Sequence, residues 1–220
     1  MLAPTQSDRV LSSRTSASLT ISVAQVSPCR VVRSAVQGVG PLFWQRGVAV
    51  PDSTVNNHKS TDIQNLFKEA MAHVATPVSV VTTMDADLPY GTTVSAFASL
   101  SMNPPMALVA LDNHSETLEK IIAAGGFGIN VLSCEQHATA LAFAGKGGTA
   151  KFASVNWEPD CGLPRISDAS GWVACTVGEI IIAGDHSVVT GTVLTAEHRS
   201  VDPLTYRRRG FGTHQVLEIV

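Results

Sequence analysis

A chain of 220 residues with 45% hydrophobic and 15% charged side chains has enough apolar material for one sizeable core. Its formal net charge of −3 argues against a basic face that tracks a phosphate backbone, so nucleic acid is not an expected partner. No apolar run approaches the roughly 18 residues of a membrane-spanning helix, so no membrane partner is expected either.

The first 50 residues hold eight Ser and five Arg, with Asp8 as the only acid, a composition that fits a disordered extension or an organelle transit peptide. A short helix fits the apolar content of "SPCRVVRSAVQGVGPLFW" within it. Residues 1–60 are therefore read as an N-terminal extension and 61–220 as one folded domain. Thr61-Asp62 cap a helix in which Ile63, Leu66, Phe67, Ala70 and Val74 recur at helical spacing, and Thr76-Pro77 stops it. "VSVVTTMD" reads as a strand, Asp85 to Tyr90 as a hairpin loop, and "GTTVSAFASLS" as one further strand. Asn103-Pro104-Pro105 breaks the chain before the buried strand "MALVALD". "SETLEKIIAAGG" is a helix that opens on a capping box at Ser115 and ends at Gly125-Gly126. "FGINVLS" follows as a strand and "CEQHATALAFAG" as a helix. "GWVACTVGEIIIAG" and "HSVVTGTVLTAEHR" are long strands joined by a turn at Gly184-Asp185. Many strands, few helices and no strand–helix alternation point to a mainly β fold, a closed barrel with appended helices.

Several catalytic motifs are missing. Gly38-Val39-Gly40 runs into Pro-Leu-Phe and opens no dinucleotide-binding helix. Gly145-Lys146-Gly147-Gly148-Thr149 lacks both the G-K-[ST] ending and the preceding strand of a P-loop. There is neither a G-x-S-x-G elbow nor an H-E-x-x-H pair. Cys29, Cys134, Cys161 and Cys175 show no C-x-x-C or zinc spacing, so reduced thiols in a cytoplasmic protein are the simplest account. Cys134 and Cys175, in apolar surroundings, are expected to be inert core thiols, and Trp157 and Trp172 to be packing residues.

The informative block runs from Gly91 to Ile121. Thr93, Ser95, Ser99 and Ser101 are small hydroxyl residues, separated by nothing bulky except Phe97 and Leu100. Small residues along a strand let a flat ligand approach the backbone, whose N–H and C=O groups then read its edge; an isoalloxazine ring is such a ligand. Asn113 and Ser115 follow at a strand-to-helix junction, where free N–H groups and the helix dipole favour a phosphate. Lys146 and Lys151 are candidates to supply positive charge to it. Common strand and cap chemistry accounts for the same hydroxyls equally well.

The sequence resembles the short-chain flavin reductases of the FMN-binding split-barrel type, the reductase components of two-component flavin-dependent monooxygenases. The resemblance spans about Phe67 to Glu218 and rests on ordered motifs: "GTTVSAFASLSMNPP", "DNHSETLEKI", "GGFGINVLSCEQ", "FAGKGGTAKF", "GDH" and "PLTYRRRGFGTH". It implies a homodimeric Greek-key split β-barrel with flavin near the subunit interface. Thr93, Val94, Ser95 and Ala96 would contact the ring. Ser99, Leu100 and Ser101 would hold the ring and ribityl chain. Asp112, Asn113 and Ser115 would meet the ribityl and phosphate. Phe143, Gly145, Lys151 and Phe152 would border the phosphate or adenylate end. The resemblance makes His186 the candidate catalytic residue, beside the nicotinamide nucleotide, with Tyr206 closing over it. One departure is Asp112-Asn113-His114, where many relatives carry Arg or Lys before the Ser.

The implied activity is NAD(P)H:flavin oxidoreduction, with FMN or FAD reduced at the expense of NADH or NADPH and passed to a separate monooxygenase. The competing class is a non-catalytic flavin-binding or redox-sensing module on the same barrel. Because the barrel pattern begins only after Thr61, a chain starting near Asn56 is expected to fold and to reduce flavin at the full-length rate. Loss of activity on that truncation, in an NADH oxidation assay, would place the leader inside the fold.

Overall fold

The computed structural model describes residues 57–217. The leader, its short helix and Cys29 lie outside the described residues. Helix α1 (Asn57–Ala72) begins four residues before the expected Thr61 cap, and Ile63, Leu66 and Phe67 on its apolar stripe are exposed rather than packed on a sheet. Strands β1 (Thr76–Pro77), β2 (Ser79–Asp85) and β3 (Leu88–Val94) follow. The β2–β3 turn is only Ala86-Asp87, both left-handed (φ 47° and 66°), the geometry that a two-residue hairpin demands.

The stretch "GTTVSAFASLS" is two strands rather than one. It breaks at Ser95-Ala96 into β3 and β4 (Phe97–Met102), which pairs with β5 (Pro105–Asp112). Helix α2 (Glu116–Ala124) starts at Ser115 as expected and ends on left-handed Gly125 (φ 73°), but the Ser115 hydroxyl makes no capping bond. Then come β6 (Gly126–Val131), α3 (His137–Ala144), a 3-10 turn (Gly148–Ser154) and the hairpin of β7 (Trp157–Asp160) and β8 (Leu163–Ile166). The long hairpin β9 (Gly171–Ala183) and β10 (His186–His198) turns at Gly184-Asp185, with Gly184 at φ 67°. A small hairpin, β11 (Leu204–Arg207) and β12 (Gly210–Thr213), ends the described chain and turns on Arg208 and Arg209. Among the described residues no helix is long and apolar enough to cross a membrane.

The main sheet has the order β3-β2-β6-β9-β10-β5-β4, all neighbours antiparallel. Its two edge strands, β3 and β4, are consecutive in the chain and joined by just two residues. The sheet therefore curls until its edges face each other. No ladder joins them, so the closed barrel expected from the strand count is an open roll with a seam. Val81, Val109, Phe127, Ile129 and Val189 fill the inside of the roll, with Leu118 and Ile121 of α2 packed against them. Val80, next to Val81, faces outward under α3 and the 3-10 turn with Leu132, Phe143 and Phe152. Burial on both faces explains why β2 is apolar or hydroxylic without clear alternation.

Trp172 lies in a third cluster with Leu163 and Ala174, and Trp157 stacks edge-on against Phe152, so both tryptophans are packing residues. Cys175 is wholly buried, and desolvation pushes its thiol up to about 12. Cys134 is only partly buried, contrary to its expected core position.

Asn130 is the polar knot of this core. Fully buried on β6, it donates to Val80 O (3.2 Å) and Thr82 Oγ1 (3.2 Å), while its Oδ1 accepts the Ile166 N–H at 2.7 Å. It thereby ties β2, β6 and β8 together. Asn130→Ala strands the Ile166 N–H, and urea unfolding is expected to show a loss of about 1–3 kcal/mol. A loss inside the scatter of surface substitutions would mean that the knot is dispensable.

Candidate functional site

At the seam, where β5 runs past the start of β4, a groove of about 560 Å3 is lined by Thr92 to Ala96 on one side and Ala110 to Asp112 on the other. The size falls within the usual range of small-molecule sites, roughly 300–1,000 Å3. β3 is an edge strand, so the N–H and C=O groups on its outer side are not taken by the sheet. Ser95 and Ala96 are exposed at the turn, and the Ala96 carbonyl accepts the Ala110 N–H at 2.8 Å, tying the turn across to β5. Thr93 also lines the groove, but its hydroxyl is spent on the Ala140 carbonyl (2.7 Å) and fixes α3.

A second chamber of about 300 Å3 continues from the first; Thr92, His114, Ser115 and Lys146 line both. The chamber lies at the start of α2, between Glu116 and Thr117 on one side and the glycine loop Gly145, Gly147 and Gly148 on the other. Lys151 lines it too. Its Nζ donates to the carbonyls of Gly91 and Phe143, both at 3.2 Å. Burial lowers its pKa, and the nearby Glu116 carboxylate opposes that shift.

His186 stands at the opposite end of the groove. The β10–β5 register sets it directly across from Asp112, and both line the cavity. Asp185 Oδ1 meets His186 Nδ1 at 2.8 Å, and this hydrogen bond holds the Asp185 carboxyl below its ordinary pKa. The neighbouring carboxylate thus turns the imidazole, leaving Nε2 for other partners. Asn113 does not line the groove. It clamps the rim instead: Nδ2 donates to the Gly184 carbonyl (3.1 Å) and Oδ1 accepts the Ser187 hydroxyl (2.7 Å). The β9–β10 turn is thereby pinned to the β5–α2 junction.

Of the residues singled out from sequence, the groove brings together Thr93, Val94, Ser95, Ala96, Asp112, Ser115, Gly145, Lys146, Lys151 and His186. Phe143 and Phe152 sit behind it as a buried edge-on pair 4.9 Å apart, under Gly91. Ser99, Leu100 and Ser101 lie on edge strand β4 and do not line it. Tyr206 is on β11 in the small sheet with β1 and β12, half-exposed against Phe211. His114, in the departure Asp112-Asn113-His114 that the sequence marks, lines both chambers.

The arrangement offers a flat slot against free backbone, a basic pocket at one end and an imidazole at the other. Such a shape fits a planar ring that carries a phosphorylated tail. A probable flavin reductase of Rhizobium meliloti is 38% identical over 67% of this chain, which spans about half (48%) of that protein's length. The flavin reductase (NADH) of Kitasatospora aureofaciens is 36% identical over 69% of this chain and 82% of its own. Among solved structures, nitrilotriacetate monooxygenase component B of Mycobacterium thermoresistibile superposes with a TM-score of 0.67 at 29% identity, covering 71% of this chain and 89% of that one. Residues 71–215, which hold every residue lining the groove, match the flavin reductase like domain, and the chain belongs to that family.

Proposed function

We propose that this chain is an NADH-dependent flavin reductase that supplies reduced flavin to a separate flavin-dependent monooxygenase. The observation that carries the reading is the two-chambered groove in the seam, basic at one end and bordered by His186 at the other. A relative named for NADH-dependent flavin reduction and a structural neighbour named as a monooxygenase component support the same reading.

The residues fit a flavin nucleotide. Thr92 to Ala96 would receive the ring against the outer edge of β3, and Ser115, Lys146 and Lys151 would hold its phosphate. Hydride transfer between the nicotinamide and the ring is supplied by the two nucleotides themselves. The chain's own work is positional: the Ser95-Ala96 turn shapes the slot and the Asn113 clamp fixes the rim. His186, oriented by Asp185, donates a hydrogen bond or positive charge to the nicotinamide nucleotide.

A homodimer belongs to the same proposal. Leu100 and Met102 on β4 and Ile180, Ile181 and Ile182 at the end of β9 are exposed, an apolar surface beside the groove that suits a second copy. In that arrangement Ser99, Leu100 and Ser101 serve the interface and a flavin shared across it. A cytoplasmic location is also proposed, since unpaired thiols such as Cys134 and Cys175 suit a reducing compartment.

Two substitutions test the assignment of the two ends. Ser95→Leu puts a bulky side chain at the slot; flavin titration is expected to show at least about a tenfold loss of affinity, with the melting temperature little changed. Unaltered affinity would remove the β3 turn from the site. His186→Ala is expected to raise the KM for NADH and to lower kcat/KM by about tenfold to a hundredfold, about 1.4–2.7 kcal/mol, while flavin affinity holds. Normal NADH kinetics, or a loss confined to flavin binding, would show that His186 is only part of a turn.

A further inference from the structure

The tip of the β9–β10 hairpin, which carries His186, has no apolar anchor, since residues 180–186 are all exposed. The ladder between β10 and β5 ends at the pair His186–Asp112. Asn113 adds three hydrogen bonds around that last pair. Its backbone N–H donates to the Asp185 carbonyl (3.0 Å), its Nδ2 donates to the Gly184 carbonyl (3.1 Å), and its Oδ1 accepts the Ser187 hydroxyl (2.7 Å). The bonds fall on the residues immediately before and after His186, and the Ser187 end of the clamp is buried.

The chemistry of the clamp asks for a carboxamide. A carbonyl such as that of Gly184 only accepts, which fixes Nδ2 on its side and leaves Oδ1 to the Ser187 hydroxyl. An ionised Asp has no donor for the first bond, and Gln carries one methylene too many. Asn113 itself lines neither chamber, although the resemblance would have it meet the ribityl and phosphate. It reaches the site through the turn.

We propose that Asn113 is a positioning residue for the nicotinamide nucleotide and not a flavin contact: it sets where the His186 imidazole stands, and its effect on turnover passes wholly through that imidazole. The inference rests on the reading of the groove as an NADH-dependent flavin site with His186 at its nicotinamide end. Asp185 orients the ring through Nδ1, and Asn113 holds the Gly184 and Asp185 peptides from which carboxylate and ring hang. Loss of the clamp leaves the imidazole present but loosely placed. The wall from Thr92 to Ala96, which would receive the flavin ring, keeps its own supports.

The test is a double-mutant cycle of Asn113→Ala and His186→Ala. It reads kcat/KM for NADH at saturating flavin, beside flavin affinity from fluorescence titration without NADH. Asn113→Ala removes the two side-chain bonds and is expected to lower kcat/KM for NADH about threefold to tenfold, chiefly through KM, with flavin affinity unchanged. Ser187→Ala, which deletes only its own hydroxyl bond, is expected to move KM the same way by a smaller factor. In the His186→Ala background, Asn113→Ala is expected to cost nothing further. Two losses that multiply in full overturn the inference, because a general loosening of the fold adds to the loss of His186. Wild-type NADH kinetics in Asn113→Ala also overturn it. So does a loss of flavin affinity equal to the loss in kcat/KM, which would make Asn113 a flavin contact. All three results leave the flavin reductase reading intact. If His186→Ala itself leaves NADH kinetics unchanged, the inference falls together with the assignment of the nicotinamide end beneath it.

Discussion

Two residues decide the shape of this molecule. Ser95 and Ala96 join the first and last strands of a seven-stranded sheet, so the sheet must roll until its edges meet. A two-residue link leaves no slack for any other arrangement of β3 and β4. The edges meet without a ladder, and the seam keeps backbone polar groups within reach of a ligand. An edge strand is usually a hazard to be covered. Here its position beside a basic pocket makes it the wall of the groove.

The roll needs support because the seam itself adds no ladder bonds. Support comes from polar side-chain ties as well as from apolar packing. Asn130 joins three strands on the outer face of the sheet, and Asn113 pins the β9–β10 turn to the start of α2. The first fixes β2, the strand on which the groove-lining β3 is paired; the second fixes the rim that carries His186. Both side chains put donor and acceptor to use, and their geometry is correspondingly specific. Phe143 and Phe152 back the floor at Gly91, where a Cβ would meet both rings. Fold and site therefore share the same few contacts.

Much of this was legible in the sequence wherever a local signal had a local cause. Gly184-Asp185 marks its turn, Gly125 ends α2, and strand-rich patterns give β2, β5, β6, β9 and β10. The break at Ser95-Ala96 left no such mark, since neither Gly nor Pro stands there and small residues run on through both strands. The motifs of the resemblance named Phe143 and Phe152 as neighbours of the ligand, but a motif gives position and not facing, and both rings turn into the core. The small sheet of β1, β11 and β12 was missed because Thr76-Pro77, read as a helix stop, pairs with residues some 130 positions away. Tyr206 went with it. The helical spacing of Ile63, Leu66 and Phe67 gives α1 an apolar stripe, yet the stripe is exposed, because periodicity reports an apolar face and not what covers it.

A reductase groove turns flavin over rather than keeping it. The most direct measurement is anaerobic: NADH is mixed with free flavin in large excess over protein, and the bleaching of the oxidised flavin band is followed to completion. All of the flavin is expected to be reduced, with many equivalents per protein chain and a rate proportional to protein. Reduction that stops at one flavin per chain, or that runs no faster than the protein-free mixture, would contradict it and favour a flavin-holding or redox-sensing module.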